Sequence, residues 1–69
     1  MPSTVIRDYK YDQDAHILCV TFVSGKVYEY ERVPASIYLA LSTAFSKGTF
    51  FNRFIKDQFR YREIASLES

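Results

Sequence analysis

Residues 18–34 constrain the fold more than any other part of this 69-residue chain. The stretch reads Leu18-x-Val20-x-Phe22-x-x-Gly25-x-x-Tyr28-x-Tyr30-x-x-Val33-Pro34. Apolar residues at every second position are typical of strands with one buried face. A glycine between two such runs is typical of a hairpin, and proline is favoured in the first turn of a helix. The stretch therefore predicts a β-hairpin followed directly by a helix.

The length of the hairpin loop decides which side chains of the second strand enter the core. A three-residue loop with Gly25 in a left-handed conformation turns Tyr28 and Tyr30 towards the apolar face of the first strand. A two-residue loop turns Glu29 and Glu31 there instead. Because buried unpaired carboxylates are costly, we expect the three-residue loop, with a bulge at Gly25.

Local patterns predict the remaining elements. The expected strands are 4–11, 16–23 and 27–32, with a reversal of the chain at Asp12-Gln13-Asp14. Helical spacing of Ile37, Leu41, Ala44 and Phe45 predicts a first helix over 35–45. We expect it to end at Gly48 in a left-handed conformation and a second helix to follow, capped by Thr49.

These elements predict an α+β fold. It is a three-stranded antiparallel β-meander followed by two α-helices packed on one face (β-β-β-α-α). The chain is expected to be a single domain over 1–69, with residues 66–69 frayed. Six Tyr and six Phe indicate dense aromatic packing, which a domain this small needs.

Composition points to a cytoplasmic protein without membrane contact. Cys19 is the only cysteine, so no disulfide forms within the chain, as is typical of a reducing compartment. The first ten residues lack the apolar segment of a signal peptide, and no apolar run reaches the ~20 residues of a membrane helix. The net charge of +1 gives no global attraction to nucleic acid.

Catalysis and metal binding find little support in the sequence. Cys19 and His16 are the only soft metal ligands, whereas zinc sites use about four ligands. Cys19 is interpreted as a small core residue without a base beside it. No acid pair has surroundings that would separate its pKa values, and no glycine-rich phosphate loop exists. We expect no enzyme activity, no metal and no cofactor.

The second helix carries the best candidate binding surface. We expect a basic stripe of Arg53, Lys56 and Arg60 on its exposed side, with cations before and after it at Lys47 and Arg62. Aromatic residues flank the stripe at Phe50, Phe54 and Tyr61. Cations that bind phosphate and rings that stack on bases are the groups that single-stranded nucleic acid requires. The alternative is a solvated helix face, with Phe50 and Phe54 in the core or in a dimer contact.

Two further sets of residues have both a ligand-binding and a purely structural interpretation. Tyr28 and Tyr30 resemble the base-stacking pair of a sheet-type RNA reader, but they are interpreted first as core residues that cover the apolar face of the hairpin. The start of the second helix, with Lys47, Thr49 and Asn52, has the groups to bind phosphate. The simpler interpretation is that Ser46, Thr49 and Asn52 satisfy the backbone at the two helix ends.

The pattern as a whole resembles the KTSC domain. The residues that carry the resemblance are Tyr11-Asp12, Leu18-x-Val20-x-Phe22-x-x-Gly25, Tyr28-Glu29-Tyr30, Val33-Pro34, Ile37-Tyr38, Ala44-x-Ser46-x-Gly48 and Phe51-Asn52-x-x-Ile55. The family is named for the C-terminus of some lysyl-tRNA synthetases and also occurs as small stand-alone bacterial or phage proteins. The resemblance implies RNA binding by association with tRNA synthetases, and it implies no catalytic residues.

The sequence therefore predicts a non-catalytic module that binds RNA, with tRNA as the candidate, weakly and in a salt-sensitive way through its second helix. The competing hypothesis is a protein-interaction or self-association module. The expected state is a monomer or a weak homodimer.

Overall fold

The computed structural model describes residues 6–66, which form a four-stranded antiparallel sheet and two helices. The elements in chain order are β1 (Ile6–Asp12), β2 (Ile17–Phe22), β3 (Lys26–Tyr30), α1 (Ala35–Thr43), α2 (Lys47–Phe54) and β4 (Tyr61–Ser66). The strands lie in the order β1-β2-β3-β4. The α+β class and the meander are confirmed, but the prediction of only three strands is wrong, because β4 returns from the helices to pair with β3.

The β2–β3 hairpin has the predicted three-residue loop. Its strands are separated by residues 23–25, and Gly25 has a φ of 97°. The Gly25 amide donates to the Phe22 carbonyl at 2.8 Å, which closes the turn. Tyr28 lies opposite Val20 and Tyr30 opposite Leu18, so both tyrosines share the inner face of the sheet, as predicted.

The core lies between this inner face and the two helices. Its fully buried members are Leu18, Val20, Tyr30, Val33, Leu41, Phe51 and Ile55. Strand residues thus pack against one residue of α1, one of α2 and Ile55 just beyond α2, which confirms that both helices cover the same face. Cys19 lies on the outer face of β2, only partly buried and outside this core, so its interpretation as a core residue is wrong.

The connections at the β1 edge rely on local hydrogen bonds. Asp12 Oδ1 accepts from the amides of Asp14 at 3.1 Å and Ala15 at 3.2 Å, which forms the predicted turn. The Tyr11 hydroxyl donates to the Val33 carbonyl at 2.6 Å, and this bond ties β1 to the chain that enters α1. Strand β1 begins at Ile6, the first described residue, so the predicted start at Thr4 lies outside the described residues.

Both helices are shorter than the spacing of apolar residues predicts. Helix α1 ends at Thr43, and Ala44 is already extended at ψ 139°. Phe45 is fully exposed rather than part of the core. The hydroxyls of Ser42 and Thr43 bond to carbonyls of the last turn, which favours the end of the helix there.

The start of α2 also differs from the prediction. Ser46 caps the helix, since its Oγ accepts from the Thr49 amide at 3.3 Å. Thr49 therefore lies inside the helix instead of capping it. Gly48 lies inside the helix as well and is not left-handed. Among residues 6–66, no helix has the length and apolarity needed to cross a bilayer.

Helix α2 ends at Phe54, although the pattern continues to Arg60. Ile55 leaves helical geometry, with φ −121° and ψ −45°, and both its amide and that of Lys56 donate to the Phe51 carbonyl. A turn follows, closed by the Gln58 amide on the Ile55 carbonyl at 3.1 Å. The chain then enters β4, which lies at the sheet edge with residues 61–65 exposed. Because β4 is exposed, it lacks the alternation of apolar and polar residues that predicts a strand.

The left-handed glycine in the hairpin makes a stability prediction. We expect Gly25→Ala to lower the free energy of unfolding by about 1–2 kcal/mol, because a Cβ at positive φ clashes with the backbone. Urea denaturation measures the loss. The matched control is Gly48→Ala inside α2, where alanine is the better helix former, so its midpoint stays unchanged or rises. Equal losses in both variants would contradict the role given to Gly25.

Candidate nucleic-acid interface

The predicted basic stripe does not lie on one helix. Only Arg53 belongs to α2, in its last turn. Lys56 lies in the turn after the helix, and Arg60 lies immediately before β4. All three side chains are exposed. The spacing that suggested a helical stripe instead spans a helix, a turn and an extended segment.

The two flanking cations are separated further. Arg62 lies opposite Glu29 in the β3–β4 pair, and its Nη2 donates to Glu29 Oε1 at 3.5 Å. Because Glu29 lies on the outer face of the sheet, Arg62 faces away from the helices. Lys47 is partly buried in the first turn of α2, with its Nζ donating to the Ala44 carbonyl at 3.4 Å.

The predicted aromatic flanks also divide between two places. Phe50 and Phe54 lie together on α2, with ring centroids 4.8 Å apart, and Phe54 is 46% exposed. Tyr61 lies on β4, where its ring contacts Tyr28 and Tyr30. The proposed phosphate site at the start of α2 has its Thr49 amide satisfied by Ser46, which is the backbone role expected of such side chains.

An open cleft lies between the sheet and the end of α2. It has a volume of about 430 Å³. We call it the aromatic cleft, and it is lined by Phe22, Val23, Ser24, Lys26, Tyr28, Tyr30, Phe51, Lys56, Asp57 and Tyr61. Strand β3, strand β4, the hairpin loop and the turn after α2 each contribute to it.

Three tyrosine rings form a continuous surface in the cleft. Tyr61 stacks on Tyr28 with centroids 5.3 Å apart and 15° between the planes, and it contacts Tyr30 at the same distance. Tyr30 is only 2% exposed and belongs to the core, whereas Tyr28 is partly buried and Tyr61 is 51% exposed. Tyr30 thus forms the floor of the cleft, and the other two rings are available to a ligand.

Phenylalanines support this tyrosine surface from the core side. Phe51 meets Tyr30 edge to face at 5.2 Å, and Phe22 meets Tyr28 in the same manner at 5.4 Å. Such pairs stabilise beyond the burial of area alone. The rings are therefore held in place before any ligand arrives, which lowers the entropy cost of binding.

The charged side chains at the cleft are two lysines and one aspartate. Lys26 enters from the hairpin, and Lys56 and Asp57 enter from the turn after α2. Within residues 6–66 neither lysine forms an ion pair, so both ammonium groups are free to meet an anion. The site offers stacking surfaces beside cations, which is the combination that single-stranded nucleic acid uses.

Lys26 and Asp57 were missed as site residues by the sequence reasoning. The available signal was the position of Lys26 two residues before Tyr28, on the same strand face as the Tyr-x-Tyr pair. No sequence signal placed Asp57 beside it, because the turn after α2 was predicted as helix.

Among the described residues, no group of three or more His, Cys, Asp or Glu is placed to hold a metal. Burial, with Glu29 nearby, raises the pKa of the Cys19 thiol.

Comparisons with known proteins agree on one family. The family model described as KTSC domain matches residues 2–59, a segment that ends before β4. A crystal structure of a KTSC domain protein from Yersinia pestis superposes with a TM-score of 0.85 at 33% identity, covering 94% of each chain.

Two relatives place this sequence in different contexts. A lysine–tRNA ligase of Nostoc punctiforme is 42% identical over 62 residues, which are 90% of this chain but 11% of the ligase. The chain thus spans about a tenth of the ligases that it matches. An uncharacterized protein of Stutzerimonas stutzeri is 42% identical over 65 residues, covering 93% of this chain and 92% of that protein.

The buried tyrosine at the floor of the cleft predicts a pH dependence. Burial raises the pKa of Tyr30, with Tyr61 and Tyr28 adding to the effect. The folded state therefore holds this proton more tightly than the unfolded state, whose tyrosines titrate near 10. The contribution of Tyr30 to the free energy of unfolding is therefore fully present below about pH 10. Above that pH the free energy of unfolding falls by at most about 1.4 kcal/mol per pH unit through this one group.

Urea denaturation between pH 9 and 12 tests this dependence. In Tyr30→Phe we expect a shallower fall of the free energy of unfolding with pH than in the unmodified chain. The comparison concerns slopes, so a constant loss of stability in the variant does not affect it. Identical slopes would show that Tyr30 ionises as easily in the folded as in the unfolded chain.

Proposed function

The chain belongs to the KTSC domain family, and from this premise and the geometry of the aromatic cleft we propose that it is a non-catalytic module that binds single-stranded RNA. The single observation that carries the proposal is the cleft itself. Tyr28 and Tyr61 offer ring faces, and Lys26 and Lys56 offer unpaired positive charge beside them. Base stacking on aromatic rings contributes about 1–3 kcal/mol per base.

The relatives support RNA as the ligand. A segment homologous to nearly all of this chain occurs in proteins named lysine–tRNA ligase, whose substrate carries single-stranded ends and loops. RNA readers target such unpaired regions, where bases are free to stack on side chains. We therefore propose tRNA, or another RNA with unpaired segments, as the partner, acting without the catalytic body of a ligase.

The proposed binding is weak and depends on salt. Two lysines at the cleft, opposed by Asp57, contact few phosphates, so affinity falls with ionic strength but with a shallow slope.

We propose that the protein acts as a cytoplasmic monomer. The unpaired thiol of Cys19 supports a reducing compartment.

Charge reversal at the cleft tests the proposal. We expect Lys26→Glu/Lys56→Glu to lower affinity for labelled single-stranded RNA and tRNA by at least about tenfold at low salt. The slope of log affinity against log salt falls by about 1.4, since each phosphate contact contributes about 0.7. Fluorescence anisotropy at several salt concentrations measures both.

The matched control is Lys10→Glu/Arg53→Glu, which makes the same change in charge at two exposed residues outside the cleft. We expect its affinity to fall less than threefold. A larger loss in this control than in the cleft variant would return the site to the predicted helix stripe. Absence of binding by the unmodified chain at low salt would end the RNA proposal.

Exposed apolar side chains favour a second candidate function, contact with a protein. Phe45 is fully exposed between the helices, Leu39 is 59% exposed on α1, and Phe54 is 46% exposed on α2. None of them lines the aromatic cleft. Exposed apolar residues form contacts in interaction surfaces, so we propose these three residues of the helical segment as contacts of a self-association or protein-interaction module.

Sedimentation velocity separates the two candidates. The RNA proposal expects one monomer mass from low to high protein concentration, in both the unmodified chain and Phe54→Asp. The second candidate expects a mass that rises with concentration and returns to the monomer in Phe54→Asp, because a carboxylate opposes burial of that patch. Only the second result would shift the function to self-association.

A further inference from the structure

We propose that a second cavity, lined by Glu31, Arg32, Gln58, Phe59 and Arg60, is a phosphate-holding subsite that continues the aromatic cleft. The inference rests on the proposed function, since it assigns the path of the same RNA strand. We call it the arginine cavity; its volume is about 460 Å³. In this arrangement bases stack at Tyr28 and Tyr61, and the backbone continues to Arg32 and Arg60.

The two cavities are formed by consecutive residues of the same two chain segments. From these segments the aromatic cleft takes Lys26, Tyr28, Tyr30, Lys56, Asp57 and Tyr61, and the arginine cavity takes Glu31, Arg32, Gln58, Phe59 and Arg60. The Glu31 amide donates to the Arg60 carbonyl at 2.8 Å, which holds the segments side by side. The lining residues of the two cavities are thus neighbours in sequence at Tyr30–Glu31 and at Arg60–Tyr61, and the proposed strand passes from one cavity to the other at this point.

Both arginines are available for an anion. Among residues 6–66 the only ion pair joins Arg62 to Glu29, so neither Arg32 nor Arg60 is paired, even though Glu31 lines the same cavity. Both side chains are exposed. Two guanidinium groups with one carboxylate leave a net positive cavity, and guanidinium matches phosphate with paired hydrogen bonds.

Arg32 has a left-handed backbone conformation, and its side chain lines the arginine cavity. Its φ is 58°, a conformation that glycine or asparagine adopts with less strain than arginine. The left-handed conformation interrupts the alternation of β3, and the structure places the side chain of Arg32 in the cavity.

The spacing sets the expected length of the ligand. Tyr28 and Arg32 are four positions apart, so the chain between them spans at most about 13 Å. At roughly 3.4 Å per nucleotide along a stacked strand, that distance corresponds to about four nucleotides. We therefore expect the affinity to rise up to that length and then to level off.

A length series tests the subsite. Unlabelled oligoadenylates of two, four and six nucleotides displace one labelled hexanucleotide from the full chain, from Arg32→Gly/Arg60→Gln and from a control. We expect the unmodified chain to bind the four-nucleotide RNA more tightly than the two-nucleotide RNA, by roughly tenfold. The double variant keeps its dinucleotide affinity and loses that gain.

The control is a substitution at His16, the other non-glycine residue with positive φ among residues 6–66. His16 has the same φ of 58° but does not line the arginine cavity. His16→Gly therefore relieves the same backbone strain and leaves the length series unchanged. Because glycine suits both positions, neither glycine substitution lowers the urea midpoint, so a loss of affinity in the double variant is not a folding defect.

The outcomes separate the two proposals. Loss of the length gain in the double variant alone supports the subsite. A full length gain in that variant overturns the subsite while leaving RNA binding at the aromatic cleft in place. No displacement at any length, together with no direct binding of the labelled RNA, overturns the proposed function and the subsite with it.

Discussion

The register of the β2–β3 hairpin is the constraint on which the other features depend. With three residues in the loop and Gly25 at positive φ, Val20 meets Tyr28 and Leu18 meets Tyr30. A slip by one residue would turn Glu29 inward and move both tyrosines to the outer face. Buried carboxylates without partners are costly, so the register is strongly specified. The position of the tyrosines follows from this register, and the floor and wall of the aromatic cleft follow from the tyrosines.

The cleft stays open because α2 ends early and β4 adds a fourth strand. Phe51 and Ile55 complete the core beneath the helix, and the chain then turns away instead of covering the sheet. That turn brings Lys56 to the cleft, and β4 brings Tyr61 beside Tyr28. Tyr30 is thus packed in the core, whereas Tyr28 and Tyr61 on the same face stay accessible to solvent. One structural unit supplies both stability and a candidate binding surface.

The sequence predicted those features that depend on burial and failed where side chains are exposed. The hairpin, its loop length and the inward tyrosines followed from alternating apolar residues and one glycine. Strand β4 was missed because residues 61–65 are exposed and carry no alternation. Arg53, Lys56 and Arg60 have helical spacing, yet the exit of Ile55 from helical geometry separates them. Spacing alone does not tell a solvated helix from a turn, because neither buries these side chains.

Mapping of amide chemical shifts in the ¹⁵N-labelled chain, titrated with a four-nucleotide RNA at low salt, tests the central claim most directly. The account predicts that the largest changes cluster at Lys26, Tyr28, Lys56 and Tyr61, with α1 and the outer face of the sheet unaffected. Changes centred on Phe50, Arg53 and Phe54 of α2, or no changes at saturating RNA, would contradict it.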